Sequence, residues 1–385
     1  MIKFTWSYND VKIVFGPSAI DDLKNYLVGV KNVVIVTGRS SAIKSGAQDD
    51  VTKFLNELSI RYSIFNKVTP NPLSTQADEL ARAIALENVD CLIAIGGGSV
   101  IDTAKVASAV AANGGSAIDY LYGRKDVKRT VPVFAINLTH GTGSEVDRYA
   151  NMTDAEKGDK LGNVVSYPKV SFDDPRYTIT LPKEQVLCTS FDALYHAYES
   201  STTLNSPPLA RTLSEEAVRL ISKYLPRAMQ SLQDMEARYY LLYASMLAGI
   251  AIDLSPTNII HAIENVMSGI KPSLPHGCGL AIVGPLLAPL VHMASPEGST
   301  RILRVLDPNV KPNSDPGLIR DVLSNFVASV GFSKRLGDYG FDKETLSEAI
   351  RRAFSNPAVL EKIVGRLHGI NVDKQKILEL LKEAL

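Results

Sequence analysis

Between residues 32 and 137 the chain alternates two kinds of segment, and this alternation limits its fold more than any other feature. Short apolar runs rich in β-branched residues occur at Asn32–Thr37, Ile60–Val68, Cys91–Ile95 and Val131–Asn137. Amphipathic stretches surround them at Ser18–Leu27, Ala47–Leu58, Thr75–Glu87 and Ser99–Ala112. Strand, helix, strand, helix at this spacing implies right-handed βαβ units and a parallel sheet. The opening segment reads instead as a hairpin, IKFTW and VKIVF separated by Asn9-Asp10. After about residue 175 the pattern changes. From Phe191 onward the apolar spacing is mostly three to four, the period of helices. Ser206-Pro207-Pro208 and Ser255-Pro256 mark candidate helix starts. The expectation is an α/β N-terminal domain with a parallel sheet over residues 1–176 and an all-α domain over 177–385. A cleft between two such domains is a favoured place for a site.

Length agrees, since 385 residues exceed what one core usually serves. Lys plus Arg and Asp plus Glu both number 41, so the net charge is zero. That balance excludes a strongly basic nucleic-acid binder or a polybasic membrane clamp. Cys91, Cys188 and Cys278 are distant and odd in number. They suggest neither a disulfide framework nor a cysteine zinc site, and they fit a reducing, cytoplasmic setting. The N-terminus lacks the apolar core of a signal peptide. The longest charge-free apolar stretch, Cys278–Ala294, contains Pro285, Pro289 and His292, and it reads as a buried helix rather than a membrane span.

Two glycine-rich turns follow predicted strands. In Gly96-Gly97-Gly98-Ser99 the missing Cβ atoms would let a phosphate reach the backbone, and the next helix would offer its free N–H groups. A tight turn without a ligand explains this motif equally well, and it is not the GxGxxG fingerprint. The second turn is Thr139-His140-Gly141-Thr142-Gly143-Ser144-Glu145. Two such loops at the carboxyl ends of successive parallel strands point to nucleotide or dinucleotide binding. In the helical half, Asp192 and His196 stand four apart in FDALYHAYES and so share a helix face. An aspartate and a histidine so placed make half of a divalent-cation site, although an ion pair would explain them too. His261 opens HAIENVMSG, and His276 lies in PHG at another predicted helix start. His292 and His368 read as ordinary structural histidines.

DALxHAxES, then HAxE, then PHG before an apolar helix, together with GGGS and GTGSE, resembles the iron-containing (group III) alcohol dehydrogenases. The resemblance starts at Phe15-Gly16-Pro17, includes Asp173-Asp174-Pro175 and Leu181-Pro182, and fades in the last forty or so residues. It implies a Rossmann-like, dehydroquinate-synthase-like dinucleotide domain followed by an all-helical metal and substrate domain. It places the metal ligands at Asp192, His196, His261 and His276, a set suited to Fe²⁺ with Zn²⁺ possible on the same atoms. It places the cofactor loops at Gly96, Gly97, Gly98 and Ser99 with Asp102 one turn later, and at Thr139, Thr142 and Ser144, with Lys160 as a weaker ribose contact. Glu199 or Glu264 would support the imidazoles. A homodimer joined through the N-terminal hairpin and a small alcohol or aldehyde substrate are also implied.

Three departures from the family pattern matter. Where NAD-preferring members carry an aspartate after the first parallel strand, this chain reads Gly38-Arg39-Ser40-Ser41. Glycine leaves room for a 2′-phosphate and Arg39 can pair with it, which predicts NADP(H) over NAD(H). Where many members carry a second histidine in HxxxH, this chain has Asn265, which cannot titrate. His140 replaces the usual alanine of the second glycine loop and becomes the candidate proton relay. The segment after Asn356-Pro357 matches poorly and is assigned no chemistry. Two alternatives remain: a glycerol or polyol (phosphate) dehydrogenase of the same fold, and a catalytically silent nucleotide- or metal-binding protein. The first would need a basic cluster beside the ligands, where only Arg211 and Lys271 stand nearby in sequence.

Overall fold

The chain opens on the hairpin β1 (Phe4–Tyr8) and β2 (Val11–Phe15). Its turn is made at Asn9, whose φ of 46° is a conformation that asparagine tolerates better than most residues. These coordinates come from a computed structural model that describes residues 1–367, 369 and 372–385. His368 therefore lies outside the described residues.

The α/β pattern then runs through α1 (Leu23–Tyr26), β3 (Asn32–Gly38), α2 (Ser41–Lys44), α3 (Ala47–Glu57), β4 (Arg61–Val68), α4 (Ser74–Glu87), β5 (Cys91–Gly96), α5 (Gly98–Asn113), α6 (Ala117–Leu121) and β6 (Val133–Asn137). Two additions close the unit: a separate hairpin, β7 (Tyr149–Thr153) with β8 (Lys160–Val164), and β9 (Val170–Asp173). Among the described residues seven strands form one sheet in the order β1-β2-β9-β6-β5-β3-β4, parallel except for β1 against β2.

Successive residues of the central strands enter opposite core layers, as the period of two requires. Val33, Ile35, Ile93, Ile95 and Ile136 join one layer with Val51 and Leu55 of α3. Val34, Val36, Leu92, Ala94 and Ala135 join the other with Leu80 of α4 and Ile101 and Ala104 of α5. Both faces are covered, so these strands read as continuous apolar runs rather than alternating ones. Ser18–Leu27, expected as one helix, begins with Ser18 at φ 58° and becomes a 3-10 turn followed by the single turn of α1.

The second compact unit, Pro182–Leu385, follows the first, Met1–Leu181. It holds α7 (Lys183–Thr202), α8 (Pro208–Gln230), α9 (Met235–Leu254), α10 (Ile259–Ile270), α11 (His276–Ala294), α12 (Pro296–Leu303), α13 (Pro316–Ser329), α14 (Lys343–Ser355), α15 (Pro357–Leu360) and α16 (Lys374–Lys382). Pro208 opens α8 as expected. Ser255-Pro256 does not open α10; it lies in the break between α9 and α10, which meet at 104°. The cap is Asn258, whose Oδ1 accepts from the Ile259 N–H. By length and composition α11 could cross a membrane, yet 78% of its apolar window is buried. Its two internal prolines leave the helix unbroken.

The cysteine expectation needs correction. Cys188 of α7 and Cys278 of α11 are joined as a disulfide, with Cα atoms 4.7 Å apart and 90 residues between them in sequence. The helices meet closely here because Gly277 has no side chain; a Cβ there would collide with the Cys188 carbonyl oxygen. Spacing along the chain carries no trace of that contact.

Candidate metal centre and glycine loops

Three helices of the second unit bring the predicted metal ligands together. Asp192 and His196 project from one face of α7, one turn apart. His261 lies in the first turn of α10, and His276 is the first residue of α11. The Nε2 atoms of His261, His196 and His276 stand 3.4, 3.5 and 3.6 Å from a single atom, Asp192 Oδ1. Donor atoms of Asp192, His261 and His276 all lie within 4.8 Å of one another. The His196 and His261 rings stack at 4.5 Å. Ligands held about 2.0–2.2 Å from a four-coordinate ion stand roughly 3.3–3.6 Å apart, so the three separations from Asp192 Oδ1 are those of ligands sharing a cation, while the mutually close group comprises Asp192, His261 and His276 and not His196. Three imidazoles and one carboxylate suit iron or zinc, and the donor set fits the divalent ion that the sequence implies.

Asp192 is buried, which alone would raise its pKa; His196, His276 and His261 instead hold its carboxyl well below the usual carboxylate range. Burial works against a charged His261, but Glu199 and Asp192 outweigh it and lift the ring to about 9. A cation binding at Nε2 therefore has a proton to displace.

Behind two of the imidazoles stand two buried glutamates. The Nδ1 of His261 contacts Glu199 Oε2, and the Nδ1 of His276 contacts Glu264 Oε2. With Nδ1 so engaged, Nε2 is left to face Asp192, the arrangement metal-binding histidines usually adopt. Glu199 also caps α10, taking N–H bonds from Asn258 at 3.0 Å and Ile260 at 2.8 Å on Oε1. Gly279 makes room for Glu264, whose Oε1 lies 2.6 Å from where a Cβ at 279 would sit. Two glycines of the PHGCG segment are thus explained by close packing of α11 on α7 and α10. Asn265, one residue beyond Glu264, is half-buried.

In the first unit the two glycine turns lie against each other. Gly96 ends β5, Gly97 caps α5 and Gly98 begins it. A Cβ at Gly97 would fall 2.7 Å from Thr139 Cγ2, and one at Gly98 would fall 2.6 Å from Thr142 Cγ2. Gly96 is equally confined, by Val100. Packing between the turns therefore requires these glycines, whatever else they admit. Ser99, Thr139 and Thr142 are half-buried.

Asp102 and Ser144 are both buried and joined by a hydrogen bond from the Ser144 hydroxyl. The other Asp102 oxygen accepts from the Asn151 N–H at 2.8 Å, so this carboxylate ties α5 to the second loop and to β7. Lys105 completes the tie. Its Nζ, fully buried, reaches Ser144 Oγ at 3.1 Å, Asp147 Oδ1 at 3.0 Å and two backbone carbonyls. Sequence reasoning missed Lys105; its place one turn after Asp102 was the available signal. His140 is fully buried in the second loop. Lys160 is half-buried on β8, close enough to Asp102 to help stabilise its charged form.

Gly38 ends β3, with Arg39, Ser40 and Ser41 exposed beyond it. Arg39 makes no ion pair among the described residues. A Cβ at Gly38 would sit 3.4 Å from the Val68 carbonyl oxygen and 3.7 Å from Ser41 Oγ, which is ordinary contact.

Comparison with known proteins agrees with this geometry. Residues 10–175 match the family described as iron-containing alcohol dehydrogenase, and residues 186–385 match the C-terminal part of the same family. A long-chain primary alcohol dehydrogenase from Thermoanaerobacter ethanolicus is 36% identical over 90% of this chain and 89% of its own length. A 1,3-propanediol dehydrogenase from Klebsiella pneumoniae is 30% identical over 89% of this chain and 92% of its own. Among solved structures, an NADH-dependent butanol dehydrogenase from Thermotoga maritima superposes with a TM-score of 0.87 at 28% identity, covering 98% of each chain.

Proposed function

The chain belongs to the iron-containing alcohol dehydrogenase family, and from that premise we propose that it interconverts a small alcohol and its aldehyde with NADP(H) in preference to NAD(H), on a divalent metal held by Asp192, His196, His261 and His276. The observation that carries this reading is the convergence of three imidazole Nε2 atoms on one oxygen of Asp192. When bound, the cation supplies Lewis acidity to the substrate oxygen, and the nicotinamide gives or takes the hydride. The protein's own part is positioning. Glu199 and Glu264 aim two of the imidazoles. The Asp102–Ser144–Lys105 tie keeps the two glycine loops in register, so that Gly97, Gly98, Ser99, Thr139 and Thr142 present backbone and hydroxyl donors to the cofactor phosphates.

The cofactor preference rests on Gly38 and Arg39. A Cβ at 38 would make ordinary contacts, and its backbone is not in the left-handed region, so glycine is not required there by its Cβ or its backbone. With glycine at 38 there is no carboxylate to repel a 2′-phosphate, and the exposed Arg39, in no ion pair among the described residues, supplies a partner for one. The butanol dehydrogenase of similar structure is named for NADH, which makes this the sharpest point to test. Comparing kcat/KM for the two cofactors over short-chain alcohols and aldehydes decides it. Preference for NADP(H) is expected, with Arg39→Ala raising KM for NADP(H) about tenfold and leaving NAD(H) unchanged. Gly38→Asp should reverse the preference. Equal or better use of NAD(H) by the unaltered enzyme rejects the proposal.

Because Asn265 cannot exchange a proton, His140 is assigned to the alcohol proton, directly or through water. His140→Ala with full rate and an unaltered pH profile would reject that assignment while leaving the rest.

A further inference from the structure

Glu199 and Glu264 occupy equivalent places behind His261 and His276, yet they differ in their other bonds. We infer that both are positioning residues for the metal site and that only Glu199 must be a carboxylate. The inference rests on reading the four converging side chains as metal ligands.

Both oxygens of Glu199 are committed. Oε1 accepts from the backbone N–H groups of Asn258 at 3.0 Å and Ile260 at 2.8 Å, and from that of His261 at 3.3 Å. Oε2 accepts from the His261 N–H at 3.2 Å and meets His261 Nδ1. Every group facing this side chain is a donor. Glutamine has one acceptor oxygen and one NH₂. With the oxygen on the α10 N–H groups, the NH₂ faces Nδ1. Ligation through Nε2 requires Nδ1 to carry the ring proton, so donor then meets donor. Turning the amide over only moves that conflict to the Asn258 and Ile260 N–H groups. A buried donor with no acceptor is costly either way.

Glu264 is bound on one side only. Its Oε2 meets His276 Nδ1, with the Ser268 hydroxyl 3.5 Å away. Its Oε1 is buried with no hydrogen-bond partner among the described residues. Glutamine there can keep its carbonyl oxygen on Nδ1–H and turn its NH₂ to the side that is unoccupied among the described residues; that buried NH₂ lowers the stability of the fold but leaves the hydrogen bond to the imidazole intact. His276 keeps the same ring form and the same free Nε2. Two superficially equivalent glutamates thus make opposite demands on their replacements. Glu199 also starts α10, so one side chain couples the first turn of that helix to the orientation of the imidazole it carries.

The test is metal binding rather than turnover. Metal-free wild type, Glu199→Gln and Glu264→Gln are titrated with Co²⁺, read by the visible absorption of bound cobalt and by competition with a chelator, with circular dichroism as a check on folding. Glu199→Gln should weaken Co²⁺ binding about 10–100-fold, the range for loss of such outer partners, and Glu264→Gln should stay within about threefold. Equal losses in the two variants, or wild-type affinity in Glu199→Gln, overturn the inference. A second measurement does not depend on that variant folding. In zinc-loaded, ¹⁵N-histidine-labelled wild type, the His261 ring proton should reside on Nδ1, and a proton on Nε2 overturns the inference as well. A protein that binds Co²⁺ with this pattern but oxidises no alcohol would reject the proposed function and support the inference. A wild type that binds no Co²⁺ would end both.

Discussion

Both units of this protein bury carboxylates, and the two do so to opposite effect. In the helical unit, Asp192 is encircled by three imidazoles and kept charged. In the α/β unit, Asp173 has, among the described residues, only the Asn137 and Ser171 side chains as hydrogen-bond donors, and burial pushes it up to about 7. Glu145 beside it is also pushed well up, by burial first and by Asp173 second. Even Asp102, with Lys105 at hand, is raised by burial. Depth alone says little about charge; the partners decide it. The same contrast divides the candidate sites. The helical unit builds its site from ionisable side chains on three helices. The α/β unit builds its own largely from backbone turns packed glycine against threonine. A site made of side chains can be dismantled atom by atom, whereas one made of backbone fails mainly through shape.

The largest effect should come from removing the one charge that three rings surround. Asp192→Asn should weaken divalent-metal binding by more than the roughly 100-fold that outer partners carry, and alcohol oxidation should fall with it. Cobalt titration and turnover measure the two. Retained metal affinity would erase the contrast drawn here. A middle effect is expected from Gly98→Ala. Its Cβ would meet Thr142 Cγ2 at 2.6 Å, so the two loops must move apart. Stability should fall by about 1–3 kcal/mol in thermal or denaturant unfolding. Cofactor KM should rise while cobalt affinity stays at the wild-type value. A drop in cobalt affinity would show that the two sites do not fail separately.

The smallest effect concerns Asp173. Below about pH 4 it is protonated in both the folded and the unfolded chain. Between there and about 7 the unfolded chain releases this proton while the folded one retains it. Stability is therefore lost as pH rises through that window. Asp173→Asn removes the loss, so its melting temperature relative to wild type should climb between pH 4 and pH 8. A constant difference across that range would mean that Asp173 is charged in the fold after all.

Much of this was legible in the sequence, for identifiable reasons. Strands β3, β5 and β6 announce themselves because covering both faces of a sheet demands unbroken apolar runs. Of the four candidate ligands, spacing alone pointed only to Asp192 and His196, one helical turn apart; His261 and His276 were reached through the family resemblance. Other features depend on contacts between distant segments. Nothing in Val170–Asp173 says that it inserts between β2 and β6, since a run of four residues fixes no neighbour. The β7–β8 hairpin was missed because its polar strands carry a weak alternation. The Cys188–Cys278 pairing required knowing that α7 and α11 touch. Glu199 and Glu264 were named as supports, but which imidazole each serves depends on how three helices are arranged.

The absent side chains of Gly277 and Gly279 act as a detent on the position of α11. Each admits one obstacle, the Cys188 carbonyl or the Glu264 carboxylate, and the flanking residues of α11 are too large to do so. Sliding the helix by one turn, about 5.4 Å, would drive Leu280 or Ala281 into the gap at Gly277 and Ile282 or Val283 into the gap at Gly279. The rod is thereby locked both along its axis and in its rotation, and the ring at its tip arrives at one depth only. Substitution at Gly277, which faces backbone, should destabilise the fold even in a variant that has lost every candidate ligand, and more than substitution at Gly279, which faces only the Glu264 side chain.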